Sequence, residues 1–257
     1  MHQSLRVFNL LFFIAMIVVN ALGELLPLGI GSTGAISAKY PNLFTPAPLT
    51  FSIWGLIYLL LAAFIIYQLN MGGNSTTSTQ LVAAIGGWFI FSCIMNIGWM
   101  ISWHYDVIWL SLIFMLGLLI SLIFISSGIR SIENPNIITR VSCFGFNIYL
   151  GWICAATIAN VCVFLVKTGW HRFGWSEPIW TILVLVIGAI LAVLFIVTRN
   201  NYAAAFAIIW AYYGILTKHI SQSGHAGQYP VIIITTFACI AAILVIGILK
   251  LLLPKHS

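Results

Sequence analysis

Eight times along this chain, an apolar run of roughly membrane-spanning length is broken only by short polar or turn-rich segments. A helix that crosses a bilayer needs about 20 mostly apolar residues. The candidate spans are Val7–Leu28, Leu49–Leu69, Leu81–Trp103, Val107–Ser126, Val141–Val166, Pro178–Val197, Tyr202–Thr217 and Val231–Leu253. The runs are continuously apolar rather than alternating, which disfavours a β-barrel. Ten Lys and Arg and four Asp and Glu serve all 257 residues, so 5% are charged, against about 25% in a soluble domain. That is too little charge to coat a soluble globule, and a soluble enzyme or a disordered chain is excluded. The basic residues stand singly, with no cluster to grip phosphates, so no nucleic-acid partner is expected. The fold class is therefore all-α, a polytopic transmembrane helix bundle of about eight spans whose main partner is the lipid bilayer.

Arg6 followed by the run from Val7 resembles a signal peptide, but the run outlasts the usual signal core and continues past Glu24, so an uncleaved first span is expected. With eight spans both termini share a side. That side carries Arg6, Arg130, Arg140, Arg199, Lys250 and Lys255, and the other carries Lys39, Lys167, Arg172 and Lys218. The excess places both termini in the cytoplasm of a cell-membrane protein. Asn74-Ser75-Thr76 is a glycosylation sequon by pattern only.

The five cysteines lie inside apolar runs and none has Cys-x-x-Cys spacing, so neither a disulfide framework nor a zinc site is expected. The six histidines fall in expected loops or tails, and no metal site is predicted. Asp106 reads as a helix N-cap. Trp103, Tyr105, Trp109, Trp170 and Trp175 flank short loops and read as interfacial belt residues. No paired carboxylates, Ser-His-Asp set or phosphate loop is visible, so no catalytic residue is expected. The one intramembrane acid is Glu24, with Asn20 one turn earlier on the same face. It either caps the following loop or makes a polar contact in a cavity.

Three helices repeat one pattern. Phe51, Trp54 and Tyr58 stand at i, i+3 and i+7. So do Asn96, Trp99 and Trp103. Tyr149, Trp152, Ala156 and Asn160 extend that spacing by another turn. At about 100° per residue each set stays within an arc of about 80°. Lipid satisfies neither an amide nor an indole N–H, so these faces should turn inward. Such stripes can simply join helices. Facing one another, they would line a flat-walled apolar pocket for a planar hydrophobic molecule.

The stretch Tyr149-Leu150-Gly151-Trp152-Ile153-Cys154-Ala155-Ala156-Thr157-Ile158-Ala159-Asn160 resembles the fifth-helix signature of the translocator protein, or tryptophan-rich sensory protein, family (TspO/MBR). Asn96-Ile97-Gly98-Trp99 resembles its Asn-x-x-Trp segment. Phe44-Thr45-Pro46-Ala47-Pro48, followed by Phe51, Trp54 and Tyr58, is similar to its loop and second helix, with Phe44 where the family has Trp. The resemblance covers roughly residues 5 to 166. It implies a five-helix core over 1–167, here followed by three additional helices over 168–257. It also implies a non-enzymatic sensor or carrier, often a homodimer, that takes porphyrin or haem as ligand rather than as resident cofactor. Carried over by position, the pocket would be lined by Trp54, Tyr58, Asn96, Trp99, Tyr149, Trp152, Ala156 and Asn160, roofed by the loop from Gly29 to Ala47. A secondary transporter of a small lipophilic molecule and a membrane enzyme acting on a tetrapyrrole are the alternative expectations.

Overall fold

The computed structural model describes residues 2–26, 31–69 and 76–252. The sequon residues Asn74 and Ser75, the loop positions 27–30 and Lys255 lie outside them. The described residues form ten α-helices and no strand: α1 (His2–Leu25), α2 (Thr33–Lys39), α3 (Ile53–Gln68), α4 (Thr76–Ile85), α5 (Trp88–His104), α6 (Ile108–Ile129), α7 (Ile137–Lys167), α8 (Glu177–Arg199), α9 (Tyr202–Ile220) and α10 (Pro230–Leu252). Single 3-10 turns occupy Pro48–Ser52 and Arg172–Gly174. Seven helices are long and apolar enough to cross a membrane, and α4 with α5, counted as one span, makes eight.

That bent pair corrects the continuous third span expected over Leu81–Trp103. α4 and α5 meet at 53°. Gly86 lies between them with φ +55°, a left-handed conformation that ends a helix and that glycine adopts at little cost. Two glycines inside an apolar run do not change its hydropathy, so the composition conceals the break. Elsewhere caps set the ends. The Asn136 side chain accepts from Thr139 N at 2.8 Å and starts α7 four residues before the expected Val141. The expected seventh span extends to Ile220.

The spans alternate in direction. At one end Asn9 Nδ2 donates to Gln68 Oε1 at 2.9 Å, Gln68 Nε2 donates to Arg6 O at 3.0 Å, and Arg6 donates to Thr79. This ties the start of α1 to the end of α3 and the start of α4. α6, α8 and α10 end on this side, so Arg130, Arg199 and Lys250 share one end of the bundle with Arg6 and Arg140. At the other end Asp106, between α5 and α6, meets Lys39 at the end of α2 and Lys167 at the end of α7.

α7 is the most buried spanning helix and packs against α3, α6 and α9. α9 approaches closely because of glycine. A Cβ on Gly151 would collide with the backbone of Ala204, and one on Gly214 with the Thr50 side chain. Small residues permit such backbone approach between membrane helices, where hydrophobicity alone provides no driving force. α8 and α10 pack on α9 and on each other.

Candidate functional site

The three aromatic faces meet. Trp54 of α3 stacks on Trp99 of α5 with centroids 5.5 Å apart, and packs edge-on against Trp152 of α7 at 6.1 Å. Tyr58 stacks on Trp54 at 5.5 Å, Tyr149 meets it edge-on at 5.7 Å, and Phe51 meets Trp152 edge-on at 6.2 Å. Trp99 also stacks on Trp103 at 6.1 Å. Offset and edge-to-face pairs of this kind are worth about 0.5–1.5 kcal/mol each beyond the area they bury.

Below the rings runs a chain of hydrogen bonds. Tyr58 OH donates to Asn20 Oδ1 at 2.7 Å. Asn20 Nδ2 donates to Asn96 Oδ1 at 2.7 Å and to Met16 O at 2.8 Å, and Asn96 Nδ2 donates to Tyr149 OH at 2.9 Å. One network thus links α3, α1, α5 and α7. Asn20, Asn96, Tyr58 and Tyr149 spend these groups on one another, so the amides act here as joints between helices.

Above the rings the polar groups are less engaged. Asn160 has only long contacts to Ser111 Oγ, at 3.3 and 3.4 Å. The indole N–H groups of Trp99 and Trp152 are buried, with 4% and 3% of each residue exposed, and neither has a hydrogen-bond partner among the described residues. A buried donor without a partner costs about 1–3 kcal/mol.

Two adjoining spaces divide these residues. Trp99, Trp152, Ala156 and Asn160 line a slot of about 40 Å³, closed above by Phe44 and Pro46. It has room for little more than water. Asn20, Glu24, Trp54, Tyr58 and Trp99 line a larger cavity of about 430 Å³ between α1, α3 and α5. Its lip includes the exposed Ala21, Ser52 and Gly55. Thr33, Phe51 and Trp99 belong to both. Asn96 and Tyr149 line neither and lie in the network beneath.

The model of the TSPO-like protein family matches residues 6–249. The chain belongs to the TSPO-like protein family. No curated protein and no solved structure matches it. The match continues through α8, α9 and most of α10, well past the segment that carries the sequence resemblance. This TSPO-like protein is an integral membrane protein with a helical-bundle fold.

Several residues stand elsewhere than the sequence suggests. Trp103 is no belt residue. It is buried, lines the slot, and its Nε1 donates to Thr33 O at 3.3 Å. Asp106 caps no helix. Val107 precedes α6 without a side-chain bond, while Asp106 has φ +61° and takes Lys39 at 2.6 Å, Lys167 at 3.0 Å and Tyr40 OH at 2.6 Å. Burial pushes its carboxyl up, but the bonds from Lys39, Tyr40 and Lys167 outweigh this and hold it at about 2. His104 and His219 lie in the last turns of α5 and α9, both buried, rather than in loops. Glu24 accepts from Thr33 N at 3.0 Å and from its hydroxyl, fastening the start of α2 to α1 while bordering the larger cavity.

The span expected over Tyr202–Thr217 forms as α9, but its share in the site is not visible in the sequence. Ala211 and Ile215 complete the slot wall, and nothing in their residue types marks them. α9 also holds the roof. Ala47 N donates to Gly214 O at 3.0 Å, Trp210 Nε1 donates to Thr50 O at 2.9 Å, and His219 Nε2 lies 2.9 Å from Leu43 O. Leu43 N donates to Glu177 Oε1 at 3.2 Å. The roof beside Phe44 is thus fastened to both α8 and α9.

Proposed function

We propose that this TSPO-like protein is a non-enzymatic membrane binding protein, a sensor or carrier, for a planar hydrophobic ligand of the porphyrin type. The observation that carries the reading is the pair of unpartnered indole N–H groups, Trp99 and Trp152, at the meeting point of three aromatic helix faces. Flat apolar walls suit a conjugated ring, and buried donors suit a ligand bearing an acceptor at its edge. The 430 Å³ cavity lies within the size range of small-molecule sites. Movement of Phe51 and Trp54 would join it to the slot, where Trp152, Ala156 and Asn160 would receive the ligand's edge. Asn20, Asn96, Tyr58 and Tyr149 hold the helices that carry the rings. The basic end of the bundle faces the cytoplasm in this reading, by the excess of Lys and Arg there.

The test is a titration of the detergent-purified protein with protoporphyrin, followed by tryptophan quenching. Saturable quenching is expected. Trp152→Phe keeps a ring but removes the donor, and should weaken binding by about 3- to 10-fold, the value of one hydrogen bond. Absence of saturation, or identical curves for wild type, Trp152→Phe and Asn160→Ala, would sink the proposal.

A further inference from the structure

The aromatic site is not the only sizeable space among the described residues. A cavity of about 470 Å³ opens at the basic end, between the end of α6, the start of α7 and the turn from α8 to α9. Arg130, Arg140 and Arg199 all line it. They are far apart in sequence, and the bundle brings them to one rim.

Their charge is not used by the protein. Among the described residues no carboxylate forms an ion pair with any of the three. Arg140 Nε donates to Pro135 O at 3.1 Å, while Arg130 and Arg199 make no side-chain hydrogen bond to the described residues. The acid on the same loop, Glu133, is exposed and pairs with none of them. Deeper in, Asn147 accepts from Ser126 Oγ and from Asn201 Nδ2, each at 2.8 Å. Its own side-chain amide N–H groups have no partner among the described residues. The remaining wall is apolar, with Ile129, Ile132, Phe144 and Ala203 among its members. Phe144 is also exposed on the outer surface of α7, so the groove reaches the hydrocarbon-facing side of the bundle.

We propose that this groove binds an anionic phospholipid, with its phosphate among Arg130, Arg140 and Arg199 and an acyl chain along Ile129 and Phe144. Guanidinium groups match phosphate oxygens in pairs, and basic pockets between membrane helices are suited to acidic headgroups. A free phosphate ion would satisfy the arginines but has no use for the apolar wall, which is why a lipid is the occupant chosen. The site is independent of the aromatic pocket, and binding there does not require the porphyrin reading to hold.

The test uses the full chain in detergent and native mass spectrometry, with dioleoyl phosphatidylglycerol and dioleoyl phosphatidylcholine as probes. The two lipids have the same tails. Retention of the glycerol lipid should exceed that of the choline lipid by about tenfold or more, given the strength of a few arginine contacts near a membrane surface. Arg130→Gln with Arg199→Gln should bring the two lipids level, while Lys250→Gln, at the same end but outside the groove, should leave the difference intact. Equal retention of both lipids by the wild type overturns the proposal, whatever the stability of the variants. An unchanged difference in the double variant overturns it too. Displacement of the glycerol lipid by millimolar inorganic phosphate would show a free-anion site and overturn the assignment to a lipid.

Discussion

Residues of the same type do different work here, and hydrogen-bond partners separate them. Asn96 lies between Asn20 and Tyr149, so Asn96→Ala strands a partner on either side. Thermal unfolding in detergent should report a loss of about 1–3 kcal/mol. Asn160 holds only long contacts to Ser111, and Asn160→Ala should leave the melting temperature nearly unchanged while weakening porphyrin. Equal destabilisation by both would contradict the division between joint and pocket residue. The helical spacing shows that both amides share a face with tryptophans. It does not show which amide the neighbouring helices consume, because that depends on Asn20, contributed by another element.

At the scale of elements, the spans and the three aromatic stripes were legible because a 3.6-residue period survives in sequence. The break at Gly86, the burial of Trp103 and the part played by α9 were not. A helix end marks Trp103 as interfacial only if the neighbouring loop is open, and here α2 covers it through the Thr33 carbonyl. Ala211 and Ile215 carry no chemistry to notice. The contact between Gly214 and Thr50 can be tested directly. Gly214→Val should lower the melting temperature, and Thr50→Gly in the same chain should restore part of the loss, a coupling expected between touching residues. The junction of α2, the α5–α6 turn and α7 at Asp106 depends on pH. Its folded carboxyl is held at about 2, below the ordinary value near 3.9. The stabilisation is therefore complete above pH ~4 and is lost as pH falls from there toward 2. It amounts to about 1 kcal/mol once exposure is discounted. Acid titration of the melting temperature should show this loss in the wild type and not in Asp106→Asn.

For the molecule as a whole, α8, α9 and α10 pack together, and α9 packs on α7 at the centre of the bundle. The family match extends into α10, and α9 supplies wall and roof fastenings to the aromatic site. Glu177→Ala removes one fastening at the Leu43 backbone. It should quicken protease cleavage within residues 40–47 while shifting the global melting temperature little. An unchanged cleavage rate would mean that α9 alone secures the segment. The roof is fastened to α8 and α9, whereas the larger cavity has its exposed lip between α1 and α3. A guest using that doorway would come from a reservoir dissolved in fat. Occupancy would then follow how strongly a compound partitions into the bilayer, and a poorly soluble molecule could saturate the protein while almost none of it was free in the surrounding water.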